Sequence, residues 1–196
     1  MKNFKIRCAV AGYNFTFGSN KEGNADTLKM LGDKYGFEVC IIEPVMVKGN
    51  IVSSSLIRDM IKEGYVENVK DYLGRHFSVT GTVIHGMKMG GKIGIRTANI
   101  SIALDIVIPH HGVYLTSTVI DNKTYKSVTN IGFNPTFDRD RLSIETHVIG
   151  FDGYLYNSEI EVLFLKWQRK EKHFNSVDEL RAQINYDISC RLLLDM

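Results

Sequence analysis

The hydrophobic period of the chain changes at Gly74-Arg75, and this change constrains the fold more than any other feature. Before it, apolar runs alternate with stretches of helical spacing. After it, apolar and polar residues alternate one by one through several segments, and helical spacing returns only at the end. A period of 2 and a period near 3.6 belong to different elements. The chain is therefore expected to divide into two parts, 1–73 and 74–196.

In the first part, Phe4 to Ala11 reads as a buried strand that opens into the loop Gly12 to Gly18. Asn24 is placed to cap a helix with Leu28, Leu31 and Tyr35 on one face, and Gly36 is its expected stop. Phe37 to Val47 reads as a strand broken by Pro44. Ser53 caps a helix whose apolar face is Leu56, Ile57, Met60 and Ile61, and Val66 to Leu73 forms a last short helix. This is the rhythm of an α/β layer. It supplies too few strands for a complete doubly wound sheet, and half a sheet leaves an edge to be covered. Homodimerisation through this part is the expected consequence.

In the second part, Phe77, Val79 and Val83 alternate with polar residues, and Val113, Leu115 and Val119 repeat the pattern. Asp121-Asn-Lys123 reads as a hairpin turn into Thr124 to Ile131, and Ser143 to Ile149 and Glu159 to Trp167 are further strands. Strands in succession without helices between them predict an antiparallel barrel. Ser176 and Glu179 form a capping box ahead of Val177, Leu180, Ile184, Ile188 and Leu192, which follow at helical spacing. The fold class is α+β.

Bulk properties exclude some functions. Hydrophobic residues make up 44% of the 196 positions, enough for a buried core. The formal net charge is only +2, without a long basic run, which argues against nucleic acid as the main partner. No apolar run approaches the ~20 residues that cross a bilayer. Cys8, Cys40 and Cys190 are odd in number and far apart, so they are read as small core residues in a reducing compartment. The expected location is cytoplasmic.

The chemistry concentrates in the second part. Gly86, Gly90, Gly91 and Gly94 surround Lys88 and Lys92 after a strand. Such a loop lets backbone N–H groups approach an anion, or it is simply a wide barrel loop. Thr97 and Asn99 lie at i and i+2, so on an extended segment a hydroxyl and an amide face one side. They could share a magnesium ion, which takes hard oxygen ligands, or satisfy a local turn. Glu145 sits between apolar residues with His147 on the same face. Facing the barrel interior it would need work or a partner, and general base is the work that fits; facing outward it would join a cross-strand ion pair. Arg169 and Phe174 could hold a planar ring or a phosphate, or form a solvated basic connection. Phosphoryl transfer to a hydroxyl is the reaction these groups suggest.

Several ordered motifs resemble the prokaryotic bifunctional riboflavin kinase/FMN adenylyltransferase (FAD synthetase) family. They are Val83-Ile-His-Gly86, Gly94-Ile-Arg-Thr-Ala-Asn99, Gly112-Val-Tyr114, Asn130-Ile-Gly-Phe-Asn-Pro-Thr136, Glu145-Thr-His147 and Arg169 to Phe174. The resemblance implies a six-stranded antiparallel Greek-key barrel with a C-terminal helix, the riboflavin kinase domain, preceded by part of the α/β nucleotidyltransferase domain. It implies ATP and Mg2+ as cofactors, riboflavin as substrate and FMN as product. By resemblance, Thr97 and Asn99 bind the metal, Glu145 is the catalytic base, Gly86, Lys92 and Gly94 belong to the ATP loop, Val148 and Tyr156 lie on the adenine side, and Arg169 and Phe174 meet the flavin.

The first part resembles the tail of the adenylyltransferase domain. Gly12-Tyr-Asn-Phe-Thr-Phe-Gly18 has Asn14 and Thr16 where the family has Asp and Arg, and Ser53-Ser-Ser-Leu-Ile-Arg58 is similar to its phosphate motif. The family's His-x-Gly-His segment has no counterpart in the chain, so FMN adenylyltransferase activity is expected to be absent. Two departures touch the kinase part: Arg96 stands where the family has Pro, and Met89 where it usually has Arg. They favour an alternative, a non-catalytic flavin- or nucleotide-binding regulator, which the retained Thr97, Asn99 and Glu145 oppose. An RNA-contacting regulator is a further alternative that the near-neutral charge disfavours.

Overall fold

Six strands of alternating residues close a sheet on itself in the computed structural model, which describes residues 5–86, 94–103, 106–133 and 142–194. The strands are β5 (Phe77–Ile84), β6 (Ala98–Ser101), β7 (Gly112–Ile120), β8 (Lys123–Phe133), β9 (Leu142–Val148) and β10 (Glu159–Arg169). Their order around the barrel is β10-β5-β6-β9-β8-β7, every neighbouring pair being antiparallel. Val79, Val83, Ile100, Tyr114, Ile131, Ile144, Ile160, Val162 and Phe164 fill the interior. The hairpin between β7 and β8 turns at Asp121 and Asn122, both at positive φ, as that turn chemistry demands.

The alternation on β7 has the opposite sense to the expected one. Val113, Leu115 and Val119 point outward, and the interior face is Tyr114, Thr116, Thr118 and Ile120. The buried hydroxyls are paired: Thr116 Oγ1 lies 2.8 Å from both Ser127 Oγ and Thr129 Oγ1, Thr118 donates to Ser127 Oγ at 2.8 Å, and Thr129 bonds Thr146. A satisfied hydroxyl costs little to bury. The outward Val113 and Leu115 are buried as well, so both faces of this strand are covered.

Helix α4 (Val177–Leu193) packs on β7 and β8. Ser176 Oγ accepts from Glu179 N, while Glu179 Oε2 accepts from Asn175 N, so the N-terminus is capped from both sides. Val177 and Leu192 are 56% and 44% exposed, whereas Asp187 and Arg191 are buried. Two charged residues thus occupy the barrel-facing stripe. They are tolerated because each is paired: Arg191 donates to Thr116 O and Ser117 Oγ, and Asp187 binds Arg169.

Two units divide between Val52 and Ser53. Helices α2 (Ser54–Lys62) and α3 (Val66–Leu73) therefore pack with the barrel although they precede the change of period. Val66 belongs to the barrel core, and Glu67 Oε2 accepts from Trp167 N at 3.2 Å. Ser53 caps α2 through Leu56 N.

In the first unit, β1 (Cys8–Gly12) and β2 (Glu38–Ile42) pair in parallel, and α1 (Ala25–Tyr35) packs against β2. Asn24 caps α1, and Gly36 ends it in the left-handed region at φ 75°. Pro44 separates β2 from the short hairpin of β3 (Met46–Val47) and β4 (Asn50–Ile51). Tyr35 is exposed and not part of the packed face of α1. Ala9, Ala11, Val39 and Ile41 are half-buried, while Cys8, Val10, Cys40 and Ile42 are exposed on the other face. The cysteines are therefore free thiols, two of them exposed and Cys190 half-buried, rather than core residues. A strand pair covered on one face only cannot bury both of its alternating sets. Among the described residues, no helix is long and apolar enough to cross a membrane.

Candidate active site

One row of cross-strand partners runs over the outer wall of the barrel. Arg169 on β10 pairs with Val113 on β7, Val113 with Asn130 on β8, Asn130 with Glu145 on β9, and Glu145 with Asn99 on β6. Directly paired residues share a face, so all five side chains belong to one outer surface. Glu145 is thus on the outside of the barrel and not in its interior, the position in which a buried carboxylate would need a partner. The reason is the phase of β9: Ile144, Thr146 and Val148 are its buried residues.

A cavity of about 290 Å3 is lined by four residues of this row, Arg169, Val113, Asn130 and Glu145, while Asn99 lies outside its lining. Its polar lining includes Thr97, Asn130, Glu145, His147, Arg169 and Glu171. Phe174, with Leu180 and Ile184 of α4, supplies an apolar side. The cavity therefore has a polar floor and a greasy wall, the usual character of a small-molecule site.

Three hydrogen bonds organise the floor. Thr97 Oγ1 donates to Glu145 Oε2 at 3.4 Å, and Ser143 Oγ donates to Glu145 Oε1 at 3.2 Å. Asn130 Nδ2 donates to Glu171 Oε1 at 3.2 Å. The segment that carries Thr97 is anchored separately, since His147 Nδ1 lies 2.8 Å from Arg96 O. A carbonyl only accepts, so this nitrogen carries the proton. Gly94 enters the segment at φ 77°, a conformation costly for any residue with a Cβ.

Asn99 is held from below. A Cβ built on Gly86 would overlap the Asn99 amide, so the absent side chain of Gly86 makes the space that Asn99 fills. Thr97, Asn99 and Glu145 together offer a hydroxyl, an amide and a carboxylate. These hard oxygen donors suit magnesium, which keeps several waters and needs few protein ligands. The donor set fits that ion.

The other expected residues are spread more widely. Arg169 and Phe174 line the cavity. Tyr156 stacks on His85, ring centroids 4.0 Å apart, just before Gly86. That places Tyr156 near the Gly86–Asn99 end and not in the cavity lining. Val148 is 6% exposed in the barrel core and presents no side chain to the cavity. Lys92 and Met89 lie outside the described residues. Arg58 is exposed on α2 and does not line the cavity.

Sequence alone does not mark Asp187 or Glu171 as functional. Glu171 lies within Arg169 to Phe174, where nothing distinguishes it from its charged neighbours. Asp187 had one faint signal, a carboxylate three residues after Ile184 on an otherwise apolar stripe.

The chain is similar to known proteins along nearly its whole length. The riboflavin kinase (flavokinase) family model matches residues 73–191, and the FAD synthetase model matches residues 1–56. A bifunctional riboflavin kinase/FMN adenylyltransferase of Buchnera aphidicola subsp. Schizaphis graminum is 37% identical over 187 residues, covering 93% of this chain and 60% of the relative. The protein of the same name from Listeria monocytogenes is 37% identical over 183 residues, covering 93% of this chain and 58% of its own. A crystal structure of a Streptococcus pneumoniae protein called a macrolide-efflux protein superposes with a TM-score of 0.86 at 32% identity, covering 95% of this chain and 60% of that one. The chain thus spans about 60% of the length of such relatives. A family model that accounts for the whole barrel and most of α4 places the chain in the riboflavin kinase family.

Proposed function

We propose that this chain is an ATP-dependent riboflavin kinase, which transfers the γ-phosphate of ATP to the 5′-hydroxyl of the ribityl chain and releases FMN and ADP. The observation that carries this reading is the row Arg169–Val113–Asn130–Glu145–Asn99. Arg169 and Glu145 are three strand steps apart, roughly 14 Å along the sheet surface at about 4.8 Å per step. A planar ring with an extended hydroxylated tail matches that span: the ring lies by Arg169, Phe174 and α4, and the tail reaches Glu145.

Glu145 accepts the proton of the 5′-hydroxyl as its oxygen bonds to the γ-phosphorus. The bond from that phosphorus to the bridging oxygen breaks, and the electron pair leaves with ADP. Ser143 and Thr97 hold the two carboxylate oxygens and so fix the direction from which the proton is taken. Magnesium held by Thr97 and Asn99 would neutralise charge on the phosphates. Asn130 stands beside Glu145 and orients the tail. Leu180, Ile184 and Phe174 exclude water on their side, which suppresses hydrolysis. Most of the acceleration in such a transfer comes from positioning and charge neutralisation.

FMN adenylyl transfer is absent in this reading. Asn14 and Thr16 replace charged residues of the family loop. Incubation with riboflavin and MgATP, followed by chromatographic separation of products, tests both statements: FMN without FAD is expected. A stable flavin complex without ATP turnover would select the regulatory binder instead.

Self-association through the first unit belongs to the same proposal, because Val10 and Ile42 are 67% and 51% exposed on one sheet face. Light scattering over a concentration series reads it directly, and a monomer at every concentration would remove it.

A further inference from the structure

The cavity end farthest from Glu145 carries a cation whose three nitrogens each bond within the protein. Arg169 Nε lies 3.1 Å from both Asp187 Oδ1 and Oδ2, and Nη2 lies 2.7 Å from Oδ2. Nη1 donates to Lys170 O at 3.1 Å. All three guanidinium nitrogens are thus engaged. Asp187 is only 1% exposed, and its Oδ1 also accepts from Gln183 Nε2 at 3.1 Å.

A buried carboxylate is costly to keep. Arg191 also ties α4 to the barrel, through Thr116 O and Ser117 Oγ of β7. The pair does something that apolar contacts would not: it sets the plane of the guanidinium and cancels its charge. Bonds through the nitrogens leave the flat face unbonded, Arg169 lines the cavity, and a neutralised, rigid plane suits a neutral planar ring better than an anion.

We propose that Asp187 is a positioning residue, which fixes Arg169 as a stacking plate for the ring of the substrate. The inference rests on the riboflavin kinase reading and deepens it. Asp187 borders the cavity but is 1% exposed, and it acts through Arg169. It therefore governs binding of the flavin and leaves ATP binding and the transfer step alone.

The test measures riboflavin KM, ATP KM and kcat for wild type, Asp187→Asn, Arg169→Ala and the double variant, with Tm for each. Asp187→Asn should raise riboflavin KM about tenfold, the loss of one stacking contact. Its ATP KM and kcat should stay within about twofold, and it should add nothing on the Arg169→Ala background. Should Asp187→Asn fail to fold, Arg169→Met with Asp187→Leu removes both charges together, a change that buried pairs tolerate. The same isolated rise in riboflavin KM is expected there. An unchanged riboflavin KM, an independent effect in the double variant, or equal changes in both KM values and kcat would overturn the inference while the kinase reading stands. A wild type that makes no FMN would overturn the kinase reading, and this inference with it.

Discussion

Thr97 and Glu145 are 48 positions apart in sequence, yet the Thr97 hydroxyl donates to Glu145 Oε2 across 3.4 Å. One oxygen thereby links the proposed metal ligands to the proposed base. Thr97→Val keeps the shape of the side chain and removes that oxygen. It should lower kcat/KM by about tenfold or more and raise the magnesium concentration needed for half-maximal rate. Thr97→Ser should retain most of the activity. A magnesium titration of both variants checks this, and equal requirements would remove Thr97 from the metal site.

Gly86 gives a second route to the same site. A Cβ there would overlap the Asn99 amide, which is the free end of a side chain and can move away. Gly86→Ala should therefore fold with Tm close to wild type and behave kinetically like Asn99→Ala, with a raised KM for MgATP. Full activity in Gly86→Ala would mean that the observed position of Asn99 is not needed.

Gly112 faces an obstacle that cannot move away. It sits at φ 143°, and a Cβ would lie 2.5 Å from Arg169 O and 2.8 Å from Trp167 Nε1. The first of these is backbone of the neighbouring strand, so relief requires β7 and β10 to separate. Gly112→Ala should cost roughly 2–4 kcal/mol of stability. Chemical denaturation checks it, and a loss below about 1 kcal/mol would contradict the packing described.

His76 should make stability depend on pH. Burial, and then the positive charge of Lys70, hold its pKa below the ordinary 6.5, against a backbone hydrogen bond at Phe164. Its Nδ1 is buried without a hydrogen-bond partner among the described residues. The unfolded chain therefore takes up a proton near pH 6.5 before the folded one does. Stability is full above that pH, falls as pH drops through it, and levels off below the folded value. Unfolding measured between about pH 7.5 and 5.5 should show a flatter dependence in His76→Asn than in wild type. Parallel slopes would show that His76 is not responsible.

Much of the architecture is readable from side-chain alternation and capping residues. Asn24, Gly36, Ser53 and Ser176 mark helix ends because their local geometry is set by neighbours three or four residues away. The sixth strand, Ala98–Ser101, is only four residues long and carries no periodic signal of its own. The phase of β7 is hidden for a different reason. Thr116 and Thr118 look like surface residues until Ser127 and Thr129 are known to lie opposite them.

The site divides in the same way. Thr97, Asn99 and Glu145 are conspicuous because hydroxyl, amide and carboxylate stand in short motifs. Their shared outer wall follows from strand registers that pair residues tens of positions apart. Asp187 is hidden because a lone carboxylate on a helix is ordinarily solvated, and only the partner from β10 gives it a reason to be buried. Val148 shows the opposite case, a position matched by resemblance whose side chain fills the core.

The central claim is proton acceptance by Glu145 during transfer to a flavin hydroxyl. Glu145→Gln keeps the size of the side chain and its contacts with Thr97 and Ser143 within reach, but it cannot take the proton. Pre-steady-state turnover of riboflavin with MgATP, alongside flavin binding followed by fluorescence, tests the claim directly. FMN formation should fall at least about 100-fold in the variant while the riboflavin Kd stays within about twofold of wild type. Equal rates of FMN formation in the two proteins would contradict the account.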